Sequence, residues 1–150
     1  MSSAFMRFSM RSPAALWREP ETMCGINGIL RLRPDGPSVE PEVALRTRDA
    51  MATRGPDGEG FWVSPDGTIA FGHRRLAIID LSETGAQPME YDRGRYRLVF
   101  NGEIYNYKEL RDALERDGVH FVSTSDSEVI LALYARHGTA MLETLRGMFA

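Results

Sequence analysis

Cysteine is nearly absent from this 150-residue chain, which holds one, Cys24. A disulfide framework within the chain is thereby excluded, as is a metal site built from several cysteines. Histidine is scarce as well. His73, His120 and His137 are the only three, their spacings match no metal-ligand pattern, and no metal site is expected. An excess of charge of one sign is also missing. Lys and Arg total 18 against 21 for Asp and Glu, for a net charge of −3. No basic surplus exists to release counterions, so nucleic acid is not an expected partner. Long apolar runs are missing too. The longest clean stretches, 76–79 and 129–133, fall far short of the roughly 18–20 residues a membrane span needs. What remains is ordinary globular composition, 43% hydrophobic and 26% charged, too apolar and too weakly charged for bulk disorder. A chain of this length builds about one domain and buries about two thirds of its unfolded surface.

Residues 1–23 read differently from the rest. They are rich in Ser, Met and Arg, with no sustained period. Their apolar content is too broken for a secretory signal, and an Arg- and Ser-rich transit peptide is the alternative. The plain reading is a disordered leader or a mis-assigned start, because Met6, Met10 and Met23 are all in-frame methionines. Without a signal peptide, and with a single thiol, a cytoplasmic location is expected.

Folded character begins at Cys24. Residues 24–32 (CGINGILRL) alternate small and apolar side chains like a buried strand. A helix is expected over 39–52, with Pro41 in its first turn. Residues 61–63 and 69–71 flank Ser64-Pro65-Asp66-Gly67, a hairpin signal. Residues 75–80 (RLAIID) form another apolar, β-branched run, and 96–100 (YRLVF) another strand. Asn106 and Glu109 make a capping box for a helix over 107–116. Gly118 supplies its left-handed end. A short strand at 120–122 follows. Ser125 or Asp126 caps a second helix that Gly138 ends, and 140–145 reads as a short helix. The last residues, 147–150, begin an apolar segment, which predicts a C-terminally incomplete domain. Hairpins of strands and pairs of helices point to the α+β class with antiparallel sheets.

Four places carry side chains suited to chemistry, each with a plainer alternative. Cys24 is either a small core residue or, as the first residue of a mature chain, a nucleophile beside its own α-amine. That amine has a reference pKa of about 7.7–8.0 and can take the thiol proton. Asn101-Gly102-Glu103 is either a turn or an amide and an open N–H that together bind an oxyanion, with a carboxylate alongside. In His73-Arg74-Arg75 the cations either face solvent or fork onto a substrate carboxylate. Asp126 and Glu128 either cap a helix or receive a substrate ammonium. Together these sites suit an amino acid gripped by both charged ends.

These segments also resemble a known family. Met23-Cys24-Gly25-Ile26-Asn27-Gly28 is similar to the start of the class II glutamine amidotransferases. Arg54-Gly55-Pro56-Asp57 resembles the RGPD turn of that family. Residues 72–80 (GHRRLAIID), 85–89 (GAQPM), 101–106 (NGEIYN) and 123–128 (STSDSE) resemble the glutaminase domain of asparagine synthetases in particular. The resemblance spans 24–150 and implies a four-layer αββα N-terminal-nucleophile fold, two stacked antiparallel sheets between helix layers. It implies Cys24 as nucleophile, with Asn101 and the Gly102 N–H as oxyanion hole. It implies Arg75 on the glutamine α-carboxylate, a pocket lined by Leu76, Ala77, Ile78 and Ile79, and Glu103 and Asp126 on the α-ammonium. The implied partners are L-glutamine and a C-terminal synthetase domain that uses ATP and Mg²⁺ to amidate aspartate; this segment itself needs no cofactor. A homodimer is compatible with the family. A relative with a different acceptor, or a glutamine-binding fragment without turnover, is the alternative.

Overall fold

The computed structural model describes residues 23–150, so the expected leader lies, except for Met23, outside the described residues. The chain opens with β1 (Gly25–Leu30), α1 (Pro41–Asp49), β2 (Gly58–Val63) and β3 (Ile69–Arg75). These strands form a three-stranded sheet in the order β1-β3-β2, with both pairings antiparallel. The β2–β3 hairpin is the one the Asp66-Gly67 signal predicts. Gly67 takes φ of 63°, and Ser64 Oγ accepts the N–H groups of Thr68 and Ile69 at 3.0 and 2.9 Å. Helix α1 begins at Pro41, whose missing N–H costs nothing in a first turn. It packs on the sheet through buried Ala44, against Val39 and Ala70. Asn27 on β1 ties strand to helix by donating to the Ala44 carbonyl and to Thr47 Oγ1, at 2.9 and 2.8 Å.

Next come a 3-10 turn at Glu83–Gly85, the hairpin of β4 (Met89–Tyr91) with β5 (Tyr96–Leu98), and β6 (Gly102–Ile104). Then follow α2 (Tyr107–Arg116), α3 (Asp126–His137), a 3-10 turn at Gly138–Glu143, and β7 (Gly147–Phe149), which pairs antiparallel with β6. Helices α2 and α3 share a core with Phe100 and Ile104 that holds Leu114, Val129, Ile130, Ala132 and Leu133. Gly118 and Gly138 end the two helices at φ of 84° and 56°, a conformation glycine adopts without a Cβ penalty. No helix among the described residues is long and apolar enough to cross a membrane.

Four local expectations fail, and the reason recurs. The run 75–80 does not continue as a strand past Arg75. Its N–H groups turn to side chains instead: Leu76 donates to Cys24 Sγ and Ala77 to Asp57 Oδ2, and Ile78 is left 71% exposed. Residues 120–122 form no strand, because buried Glu128 takes the N–H groups of Val122 and Ser123. Asn106 precedes α2 but its side chain does not cap it. That side chain reaches across to Thr144 and Arg146. The strand expected over 96–100 stops at Leu98, and the N–H of Phe100 goes to Gln87 Oε1.

Candidate active site

The pairing of β1 with β3 sets Gly25 opposite Arg74, which brings Cys24 beside the end of β3. The thiol meets the Leu76 backbone there. Leu76 N–H donates to Cys24 Sγ at 3.3 Å, and the Leu76 carbonyl lies 3.5 Å from the same sulfur. Cys24 is partly exposed at a cleft of about 240 Å³. Every residue singled out above for the implied site lines that cleft: Cys24, Arg75, Leu76, Ala77, Ile78, Ile79, Asn101, Gly102, Glu103 and Asp126. They come from four separate segments, so the fold, and not local sequence, gathers them.

Strand alternation resolves the two arginines. Arg74 ion-pairs with Asp49 at 2.5 Å and Glu59 at 2.7 Å, so it serves the sheet. Arg75 faces the cleft. Its guanidinium donates to the Ser82 carbonyl at 2.9 Å and to the Asp80 carbonyl. A guanidinium carries five N–H donors, so these two bonds fix its plane and leave others for a ligand. Asp80 in turn holds the 76–84 loop in shape. Its carboxylate accepts from Ser82 N–H, Ser82 O–H and Thr124 N–H, at 2.8, 2.6 and 3.0 Å. Burial raises its pKa, but these hydrogen bonds outweigh burial and hold it at about 2.

The two carboxylates of α3 separate as well. Glu128 closes on residues 122–123 and is structural. Asp126 lines the cleft, is buried, and accepts the Ile104 N–H at 3.0 Å. Burial raises its pKa, backbone donors oppose the rise, and the Glu103 charge adds to it. Ser125 is the cap of α3, accepting from Ser127 N–H at 3.0 Å.

The β6–β7 ladder exposes one further donor. Asn101 exchanges two backbone bonds with Ala150, and Tyr105 N–H reaches the Arg146 carbonyl. Antiparallel alternation therefore leaves Gly102, opposite Phe149, at a non-hydrogen-bonded position. Its N–H points away from β7, on the side where Ile104 N–H meets Asp126. A Cβ at Gly102 would overlap the Met148 carbonyl oxygen, so only glycine fits there. Asn101 and Gly102 thus lie together at the cleft across from the thiol's strand, an arrangement suited to acyl transfer.

A glutamine amidotransferase domain model matches residues 23–150. The chain belongs to the glutamine amidotransferase family. This amidotransferase domain is 43% identical to asparagine synthetase [glutamine-hydrolyzing] 1 of Bacillus subtilis, over 129 residues that cover 85% of this chain and 20% of that protein. It is 41% identical to asparagine synthetase B [glutamine-hydrolyzing] of Escherichia coli over 128 residues, covering 85% of this chain and 22% of that protein. It is 38% identical to the amidase chry2 of Gibberella zeae over 137 residues, again covering 85% of this chain and 20% of that protein. The chain spans about a fifth of the length of these curated relatives.

Four further cleft residues of this domain, His73, Asp80, Gln87 and Ser127, fall within the segments 72–80, 85–89 and 123–128 but were assigned no role there. His73, set aside at the sequence level as no metal ligand, is 1% exposed. Burial pushes its pKa down to about 4; the Phe100 carbonyl opposes this and the Arg75 charge adds to it. The sign of the resulting pH dependence follows. Below about 6.5 the unfolded chain binds a proton that the folded imidazole refuses, so stability falls from pH 6.5 to 4 and levels off below. The loss amounts to about 3 kcal/mol at about 1.4 kcal/mol per unit. Asp126 acts in the opposite direction just above its ordinary value, and Asp80 adds a further loss below it. The stability difference between the parent and His73→Gln isolates the histidine. Chemical denaturation at several pH values should show that difference flat above pH 6.5 and changing between 6.5 and 4.

Proposed function

We propose that this domain hydrolyses L-glutamine to glutamate and ammonia through a Cys24 thioester. The observation that carries the reading is the single cleft in which Cys24 faces Asn101, Gly102, Arg75 and Asp126. With Cys24 as the first residue, its α-amine takes the thiol proton and the sulfur attacks the glutamine side-chain carbonyl carbon. The tetrahedral oxyanion is stabilised by the Asn101 side-chain amide and the Gly102 N–H. Collapse breaks the C–N bond, and the amine returns its proton to the leaving ammonia. The same amine then activates water, which cleaves the thioester, releases glutamate and restores the thiol.

Arg75 binds the α-carboxylate, and Asp126 with Glu103 binds the α-ammonium. The backbone of Leu76, Ala77, Ile78 and Ile79 walls the pocket between them. Met23 also lines the cleft. While it stays attached, the Cys24 nitrogen is an amide and has no basic lone pair, so exposure of Cys24 by removal of residues 1–23, or a start at Met23, is part of the proposal. In the full protein the ammonia passes to a C-terminal synthetase domain that amidates aspartate in the cytoplasm, in a homodimer. ATP and Mg²⁺ belong to that domain. The finer architecture is the αββα sandwich. Packing of α1 on the three-stranded sheet, of α3 on β4 and β5, and of α2 and α3 around Ile104 of β6 supports it.

Arg75→Ala tests the substrate half of this reading. The lost charge-assisted pair is expected to raise the glutamine KM by about 10–100-fold. Arg75→Lys should recover part of it, since Lys keeps the charge but not the fork. Steady-state glutaminase kinetics decide: an unchanged KM would place the α-carboxylate elsewhere.

A further inference from the structure

Phe100, the residue before Asn101, sits in the break between β5 and β6, where its peptide groups have no ladder partner. Two side chains satisfy them. Its N–H donates to Gln87 Oε1 at 2.6 Å, and its carbonyl lies 3.3 Å from His73 Nε2. A carbonyl oxygen only accepts, so Nε2 carries the imidazole proton. The Gln87 amide is oriented by the same logic. Its oxygen takes the Phe100 N–H, which leaves its nitrogen to donate to Ser127 Oγ at 3.2 Å. Ser127 follows Asp126 in the first turn of α3. Gln87 is itself seated against β2, because a Cβ at Gly60 would overlap the Gln87 carbonyl oxygen. His73, Phe100 and Ser127 are buried, and with Gln87 they line the same cleft as Cys24.

We propose that Gln87 and His73 are positioning residues that clamp the backbone on both sides of Phe100, and through it the oxyanion donors: His73 holds the carbonyl of the Phe100–Asn101 peptide, and Gln87 ties the preceding N–H to the start of the helix that carries Asp126. This rests on reading Asn101 and Gly102 as the oxyanion hole. The clamp touches no substrate atom. It holds donors whose bonds tighten as charge develops on the substrate oxygen, so its loss falls on the transition state and not on ground-state binding. Buried donors of this kind are also costly to leave unpaired, which keeps the peptide in one orientation while the clamp is intact.

The test is glutaminase kinetics on the full protein with Cys24 at its N-terminus. Gln87→Met keeps side-chain volume and removes both hydrogen bonds. It is expected to lower kcat by about 10–100-fold with KM within about threefold. Gln87→Glu keeps an acceptor for the Phe100 N–H and should return kcat to within about fivefold of the parent. Should Gln87→Met fail to fold, Ser127→Ala removes only the far end of the chain and should lower kcat by about 3–10-fold. In an Asn101→Ala background the Gln87→Met step should cost less than about threefold, since the donor it positions is gone. Unchanged kcat, an effect on KM alone, or an equal loss in both backgrounds overturns the clamp. Asn101→Ala separates the two ideas. If it lowers kcat while the Gln87 variants do not, the clamp falls and the oxyanion hole stands. If it leaves kcat unchanged, the oxyanion reading fails first.

Discussion

Replacing Cys24 with alanine is expected to lower glutamine hydrolysis by roughly 10⁴-fold or more, because the covalent route disappears with the sulfur. Glutamine binding should persist. The groups assigned to its charged ends, Arg75 and Asp126, lie on β3 and α3 and depend on Cys24 for nothing. The fold should tolerate the change, since among the described residues the thiol's hydrogen bonds are with the Leu76 backbone at the cleft edge. Rate by ammonia release and affinity by calorimetry separate the two effects. Retained hydrolysis would remove Cys24 from the chemistry. Loss of both rate and binding would mean that the 76–80 loop had collapsed.

Asn101→Ala is the second large effect, and it falls on a different constant. Removal of one oxyanion donor is expected to cost about 10²–10³-fold in kcat with little change in KM. The backbone of Asn101 stays paired with Ala150 in this variant, so the Gly102 N–H keeps its place. The contrast with Arg75→Ala, which acts on KM, is the diagnostic. One residue serves the ground state and the other the transition state, although both line one cleft. If Asn101→Ala changed KM alone, its amide would be a substrate contact and not an oxyanion donor.

Much of this site was legible before any coordinates. The thiol after Met23, the Asn-Gly pair, the arginine pair and the acidic helix start each carry a side chain whose chemistry is readable by type. Residue type alone left Arg75 against Arg74 and Asp126 against Glu128 open, and only the family resemblance pointed to Arg75 and Asp126. Those choices depend on which partner each charge meets: Asp49 and Glu59 for Arg74, and the N–H groups of 122 and 123 for Glu128. The helix expected over 39–52 from Pro41 and its apolar positions is found at Pro41–Asp49, and the one over 107–116 was read from Gly118 and a capping box whose Asn106 side chain turns elsewhere. The run at 75–80 misled because its β-branched residues favour a strand. What overrides that preference is a set of long-range bonds, from Cys24, Asp57 and Asp80, that local sequence does not display. Gln87 stayed hidden for the same reason. It reads as a polar loop residue, and its importance lies in two partners 13 and 40 positions away.

The central claim is that the Cys24 α-amine is the base. The most direct test compares glutaminase rates of three forms of the full protein: one beginning at Cys24, one retaining Met23, and one beginning at Cys24 with its amine acetylated. Intact mass and N-terminal sequencing establish each form, including the one isolated from its own host. The account predicts turnover only where the amine is free, since an amide nitrogen cannot accept the thiol proton and Met23 occupies the wall of the cleft. Equal turnover with Met23 retained would contradict it, and another group in the cleft would have to supply the base.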